Sequence, residues 1–188
     1  MTRSANANKN VLLIKPPQLS SSADHYSLRM CPCDLDRLGQ TIAEHTDWRS
    51  LVFEGGVCAG TSGSGGEPEP SDPVWSQLAA TVVESRPSIV AVWSEARNLA
   101  SANRTAWLVK RLLQEVTVVA FGPYSDGAGE MILKCPDIDL AVVDEPDQVL
   151  IDLLAVDGRR REVEQIGGIC FRQDGQVVVN PRHEMAVG

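Results

Sequence analysis

Five short apolar runs, separated by helical patterns, are the feature that most constrains how this chain can fold. They occupy residues 11–14, 50–53, 88–93, 117–121 and 138–143. Each run is almost continuously apolar, which is typical of strands that are covered on both faces. Because strands alternate with helices along the chain, the pattern predicts an α/β protein with a parallel sheet and right-handed crossover connections.

The helical patterns between these runs have their own start signals. Apolar residues recur at helical spacing in 34–45, 72–86, 103–116, 127–134 and from 144 onward. The pair Asp72-Pro73 supplies an N-cap acceptor and then a residue whose φ already suits a first turn. For a chain of 188 residues, this alternation predicts a five-stranded, doubly wound, flavodoxin-like (Rossmann-like) sheet with the strand order 2-1-3-4-5.

The last part of the chain leaves this alternation. Residues 166–179 form two β-rich runs around Asp174-Gly175, a dipeptide that is a strong signal for a hairpin. We interpret these residues as a β-hairpin appendage on an edge of the sheet, or as a connection toward something absent from this chain. The predicted organisation is therefore a disordered N-terminus (1–9), an α/β domain (10–157) and a C-terminal hairpin and tail (158–188).

Composition restricts the partners and the location that we expect. The 17 Lys and Arg residues against 25 Asp and Glu residues give a formal charge of -8, which repels nucleic acid and anionic membrane surfaces. No apolar run approaches the length of a membrane span or a signal-peptide core, so we expect a cytoplasmic protein. The 5 cysteines are odd in number and irregularly spaced, which favours reduced thiols over a disulfide framework.

Two prolines directly after the first strand predict where a ligand would bind. In such a fold the ligand crevice lies beyond the carboxyl ends of the strands, between strands one and three, where the strand order reverses. Pro16 and Pro17 hold the exit of strand one extended. Residues 18–31 should then cross the crevice as a long loop, and loops of that length are usually functional or disordered.

Several other motifs allow more than one interpretation. The glycine-rich segment 55–66 has no Lys-Ser or Lys-Thr pair after it, which favours a flexible connector over a lid or a phosphate-binding loop. The Cys31-Pro-Cys33 pair could bind a soft metal or act as a redox pair, but its spacing favours ordinary thiols. Cys33, just before the first helix, is the thiol whose pKa we expect to be lowered.

His25 and a run of carboxylates are the remaining candidates for chemistry. His25 lies in the long loop, where a ligand could meet it, although an exposed loop histidine is the simpler interpretation. Asp144, Glu145 and Asp147 follow strand five, where carboxylates could serve acid–base chemistry. The same residues are ordinary at a helix start, where they accept hydrogen bonds from free N–H groups.

Taken together, six stretches of the chain resemble the cobalamin (B12)-binding domain found at the N-terminus of many radical SAM enzymes. The resemblance covers about residues 10–182 and depends on the order and spacing of weak motifs. The stretches read VLLIKPP, CPCDLDRLGQTIAEH, RPSIVAVWS, VVAFGP, DLAVVDEPDQVLIDLL and GGICFRQDGQVVVNPR. The family commonly has Gly-Glu-x-Glu after strand five, and here Asp144 and Asp147 replace the glycine and the second glutamate while Glu145 is kept.

The resemblance implies a site at the carboxyl edge of the sheet. The corrin ring would lie above this edge with its nucleotide tail in the crevice, and close approach would require small residues where the strands end. The implied cofactor-binding residues are Pro16, Pro17, Ser94, Glu95, Gly122, Pro123, Tyr124, Asp144 and Glu145. The Asp-x-His-x-x-Gly motif by which related domains supply a histidine to cobalt is absent from the sequence, as it is from many radical SAM relatives, which implies a cobalt without a histidine from that motif. His25 is a possible cobalt ligand.

The resemblance also implies a partner. The sequence has no Cys-x-x-x-Cys-x-x-Cys motif, so we expect no iron–sulfur cluster on this chain and no catalysis by the chain alone. A radical SAM protein in trans, or a missing domain in cis, would supply that chemistry for methyl transfer or another radical reaction. The alternative is a degenerate, cobalamin-free relative that serves as an interaction or scaffold subunit and docks through the hairpin and residues 159–161.

Overall fold

A computed structural model describes residues 8–19, 34–58, 71–96, 98–123, 128–158 and 160–181. These residues form one large sheet with helices on both faces, and a second sheet of two very short strands. The elements in chain order are β1 (Asn10–Lys15), β2 (Gln18–Leu19), α1 (Leu35–His45), β3 (Arg49–Glu54), β4 (Val57–Cys58), α2 (Pro73–Ser85), β5 (Ile89–Trp93), α3 (Leu99–Leu112), β6 (Thr117–Phe121), α4 (Ala128–Ile132), β7 (Leu140–Val142), α5 (Pro146–Ala155), α6 (Arg160–Val163), β8 (Ile169–Gln173) and β9 (Gln176–Asn180).

The large sheet is mixed and has 7 strands in the order β3-β1-β5-β6-β7-β8-β9. The part from β3 to β7 is parallel and follows the predicted order 2-1-3-4-5. The prediction of a five-stranded parallel sheet is confirmed only in part, because the sheet is mixed: β8 pairs antiparallel with β7 and β9 antiparallel with β8. The predicted appendage is thus a continuation of the sheet.

Alternating side chains of the strands fill two hydrophobic layers. In β1, Val11 and Leu13 face the layer covered by α1 and α5, whereas Leu12 and Ile14 face the layer covered by α2 and α3. All four side chains are fully buried, and burying each contributes about 2 kcal/mol. The strand is therefore apolar throughout because it lies inside the sheet with a helix layer on either side.

The hairpin belongs to this core. Asp174 and Gly175 have φ values of 50° and 81°, so they form the two-residue turn with positive φ that suits the twist of a hairpin. Ile169, Cys170 and Phe171 of β8 are buried, and they contribute to both hydrophobic layers. The hairpin therefore supplies a core strand, so removing residues 158–188 would disturb the core as well as the predicted docking surface.

Several boundaries differ from the predictions. Helix α3 occupies Leu99–Leu112 and not 103–116, and the last parallel strand is Leu140–Val142 and not 138–143. The predicted loop 18–31 and the predicted connector 55–66 each begin with a short strand, because β2 pairs in parallel with β4. Within the described residues, no helix has both the length and the apolar character needed to cross a bilayer.

Candidate functional site

The carboxyl ends of β1, β5, β6 and β7 meet at one edge of the sheet. β1 lies between β3 and β5, so the strand order reverses beside it, as the sequence predicts. Crossovers leave β1 and β5 toward opposite faces at this point, which is where doubly wound sheets bind ligands. The exits of these strands therefore define the candidate site.

The exit of β1 is packed tightly against β3. Pro16 and Pro17 are both buried, and the Gly55 amide donates to the Lys15 carbonyl at 2.8 Å. A Cβ atom on Gly55 would lie 2.4 Å from the Pro17 nitrogen, so only glycine fits there. The prolines thus form a fixed wall of the site.

A helix also holds this wall. The Ser101 hydroxyl, in the first turn of α3, donates to the Pro17 carbonyl at 2.5 Å. The Gln18 amide beyond it donates to the Gly56 carbonyl at 3.1 Å. The chain after the two prolines therefore stays extended, as predicted, but it pairs with the chain that leaves β3.

Small residues end the next two strands. The Ser94 amide donates to the Phe121 carbonyl at 2.8 Å, which holds the two strand ends together. A Cβ atom on Gly122 would lie 1.9 Å from the Ser94 carbonyl oxygen, so glycine is required at this approach. The Ser94 side chain is fully buried, yet its hydroxyl has no hydrogen-bond partner among the residues that the structure describes.

Trp93 is a polar group at this edge that the sequence prediction missed. Its ring packs edge-to-face on Phe121, with centroids 5.6 Å apart and an interplanar angle of 76°. The side chain is only 4% exposed, and its indole N–H has no acceptor. The available signal was a single tryptophan at the end of the otherwise aliphatic run SIVAVW.

The turn after β5 is held by Asn98. Its Oδ1 accepts from the Glu95 amide at 2.8 Å, and its Nδ2 donates to the Trp93 carbonyl at 3.3 Å. Both bonds fix the backbone around Ser94. Glu95 is half-buried and Pro123 is exposed, so these two predicted residues lie at the outer side of the same two strand ends.

The carboxylates after β7 have structural contacts. Asp144 Oδ1 accepts from the Glu145 amide at 2.7 Å, and Glu145 is exposed. Asp147 forms an ion pair with Arg37 at 2.8 Å, which links α5 to α1. Asp144 and Asp147 are thus engaged within the protein, whereas the N-cap residue Glu145 makes no side-chain hydrogen bond to the first turn of α5.

Several predicted residues lie outside the part of the chain that the structure describes. These are His25, Cys31, Cys33 and Tyr124. Among the His, Cys, Asp and Glu residues that are described, no group of three could hold a metal ion. Burial raises the pKa of the Cys135 and Cys170 thiols, which fits ordinary thiols and not nucleophiles.

A cavity of about 420 Å³ lies at the opposite end of the sheet, where β6 and β7 begin. Asp139, on its wall, accepts from Lys110 at 2.6 Å and from the Val118 amide at 2.7 Å. Arg172, also on the wall, donates to backbone carbonyls. Because these charges are engaged within the protein, we assign the cavity no binding role.

The chain is similar to known proteins in sequence and in fold. No protein-family model matches the chain. A protein of Pyrococcus horikoshii named as an uncharacterized methyltransferase is 26% identical over 111 residues, which are 58% of this chain and 24% of that protein. This chain thus spans about a quarter of that relative.

Two solved radical SAM enzymes share the fold. TsrM, a radical S-adenosylmethionine methyltransferase from Kitasatospora setae solved with cobalamin and a [4Fe-4S] cluster, aligns with a TM-score of 0.61 at 15% identity, over 93% of this chain and 31% of TsrM. OxsB, a cobalamin-dependent radical enzyme solved with aqua-cobalamin, aligns with a TM-score of 0.64 at 12% identity, over 93% of this chain and 22% of OxsB. The chain therefore has the fold of one part of these larger enzymes.

Proposed function

We propose that this chain is a cobalamin-binding module that acts with a radical SAM unit, carried by a separate subunit or by the same polypeptide. The observation that supports this most directly is the buried, unpartnered Ser94 hydroxyl between the ends of β5 and β6. The sequence resemblance and the fold of the two enzymes support the same proposal. The radical SAM unit would determine the substrate and the type of reaction.

The residues present fit such a cofactor. A buried hydroxyl without a partner costs about 1–3 kcal/mol, and a ligand acceptor at Ser94 would offset that cost. Cobalamin carries amide, phosphate and hydroxyl oxygens that can accept this bond. Gly122 adds no side chain at the neighbouring strand end, and Pro17 is fixed by Ser101, so the wall is formed before a ligand binds.

The work of this chain is to bind, orient and exclude water. Cobalamin, when bound, supplies cobalt chemistry such as methyl transfer. Ser94 donates to the ligand, and Pro16 and Pro17 form a rigid wall. Glu95 and Pro123 flank the mouth of the site, while Glu145 is exposed after β7.

Purified protein mixed with hydroxocobalamin should change the visible spectrum and retain the pigment through gel filtration. The fixed wall and the unpartnered donor are in place in the cofactor-free chain, so binding requires no partner. An unchanged spectrum with complete loss of pigment would contradict the proposal and favour the cobalamin-free interaction subunit. The radical SAM unit, added in trans, should then be captured without pigment.

Two buried serines near the site give a matched pair of variants. Ser94→Ala removes a buried hydroxyl that has no partner among the described residues, so the cofactor-free protein should gain stability, by up to about 1–3 kcal/mol. Its Kd for hydroxocobalamin should rise about tenfold, the value of one hydrogen bond. Absorbance titration and urea unfolding measure the two effects.

Ser101→Ala is the control, because its hydroxyl donates to the Pro17 carbonyl. Removing that donor leaves a buried acceptor unpaired, so the cofactor-free protein should lose about 1–2 kcal/mol. Equal losses of stability in both variants would show that Ser94 has a protein partner and would remove its role as a ligand donor.

A further inference from the structure

We propose that the indole N–H of Trp93 is a second hydrogen-bond donor to the ligand at the end of β5. This inference rests on the proposed function and extends it to a residue that neither the sequence motifs nor the comparisons assign. Trp93 is the last residue of β5, and β5 lies between β1 and β6. The indole is therefore attached at the end of a strand that borders the point where the strand order reverses.

The contacts of Trp93 hold its ring without using its N–H group. The ring packs on Phe121 and belongs to the hydrophobic layer beneath α1 and α5. The side chain is 4% exposed, and within the described part of the chain Nε1 has no acceptor. A buried donor left in this way costs free energy that an acceptor from a ligand would recover.

Trp48 offers a comparison, because its indole N–H makes a hydrogen bond within the protein. Trp48 is buried to the same extent, 4% exposed, but its Nε1 donates to the Leu154 carbonyl at 2.9 Å. Trp75 Nε1 also lacks a partner among the described residues, but Trp75 lies on helix α2 and not on a strand, with Arg104 over its ring. Trp93 is the described tryptophan that combines an unpaired N–H with a place at the strand exits.

Trp93 and Ser94 together define what the ligand must offer. Successive side chains of a strand point to opposite faces of the sheet, and both residues carry unpartnered polar atoms. A ligand that serves both must place acceptors on the two sides of the β5 end. Cobalamin has such acceptors in the amides around its ring and in its nucleotide tail.

The variant Trp93→Phe removes the N–H and keeps an aromatic ring against Phe121. We expect its Kd for hydroxocobalamin, measured by absorbance titration, to rise about tenfold. Trp48→Phe is the matched control: it should lose about 1–2 kcal/mol of stability in the cofactor-free protein while its Kd stays within twofold. Trp107→Phe, at a side chain 47% exposed, should change neither quantity.

An NMR measurement on the wild-type chain tests the same point without a variant. The indole ¹H–¹⁵N signal of Trp93, assigned by its loss in Trp93→Phe, should shift on addition of hydroxocobalamin, and that of Trp48 should not. Cobinamide, which keeps the ring amides and lacks the nucleotide tail, locates the acceptor. If the Trp93 signal still shifts with cobinamide, the acceptor lies on the ring. If the shift is lost, the acceptor lies on the nucleotide tail. Both results support the inference.

The outcomes separate this inference from the proposed function. Wild-type protein that binds hydroxocobalamin, with an unchanged Kd in Trp93→Phe and an unmoved Trp93 signal, would overturn the role of Trp93 alone. Wild-type protein that does not bind it would overturn both. A Trp93→Phe variant that loses as much cofactor-free stability as Trp48→Phe would show that its N–H has a protein acceptor, and would also overturn the inference.

Discussion

Replacing Gly122 with alanine is expected to lower the unfolding free energy by about 3 kcal/mol and to abolish retention of hydroxocobalamin. The added Cβ atom would lie 1.9 Å from the Ser94 carbonyl oxygen and 3.0 Å from the Ser94 carbonyl carbon. Both are backbone atoms, so no side-chain rotation can relieve the contact. The ends of β5 and β6 must separate, which breaks the hydrogen bond from the Ser94 amide to the Phe121 carbonyl.

Gly175→Ala is the control for this substitution. A Cβ atom there meets nothing within 4 Å, but the φ of 81° is unfavourable for alanine and costs about 1 kcal/mol. Urea unfolding and gel filtration with pigment measure both variants. The control should retain the pigment, and a Gly122→Ala protein as stable as the control would contradict the predicted strand separation.

The central strand order could be predicted from the sequence because each strand is buried on both faces. Residues 11–14, 88–93 and 117–121 read as continuous apolar runs, and the helices between them leave few topologies for parallel strands. The hairpin turn at Asp174-Gly175 could be predicted for a similarly local reason, because Asp and Gly are residue types that readily adopt the positive φ values this turn requires. The sequence indicated a hairpin at an edge of the sheet but not its pairing with β7, because pairing between distant strands has no local signal.

Helix α3 shows why the boundaries of the elements were harder to predict than the strand order. Asn98 uses its side chain for the turn, bonding Glu95 and Trp93, so it gives α3 no side-chain N-cap bond. Beyond the helix, Val116 is buried and its carbonyl accepts from Lys110 at 2.7 Å. The apolar periodicity therefore continues past the end of the helix into a packed turn.

The candidate site was predictable only in part. Ser94 and Gly122 are predicted as site residues from their places after strands three and four, since small residues there permit close approach. Trp93 could not, because a tryptophan at the end of a buried strand reads as core. Its unpaired N–H depends on the contacts of the folded state, and no sequence pattern reports those contacts.

Replacing Arg172 with methionine is the second substitution for which we expect a large effect. Arg172 lies on β8, and its guanidinium donates to four carbonyls of the segment between α4 and β7. They belong to Leu133 (2.6 Å), Cys135 (3.3 Å), Pro136 (3.2 Å) and Ile138 (2.6 Å). Methionine fills similar space but leaves these acceptors unpaired, so the protein should lose about 3 kcal/mol.

Lysine at the same position separates charge from geometry. Arg172→Lys keeps the positive charge, but a single ammonium group cannot reach acceptors spread over this turn as a planar guanidinium does. Arg172→Lys should therefore restore less than half of the unfolding free energy that Arg172→Met loses, as measured by urea unfolding. Arg49→Met, at an exposed arginine on the edge strand β3, should change stability by less than about 0.5 kcal/mol. Full recovery of stability in Arg172→Lys would show that charge alone stabilises the turn. A loss of stability in Arg172→Met as small as that in Arg49→Met would show that β8 pairing and burial hold the hairpin to the sheet without the Arg172 hydrogen bonds.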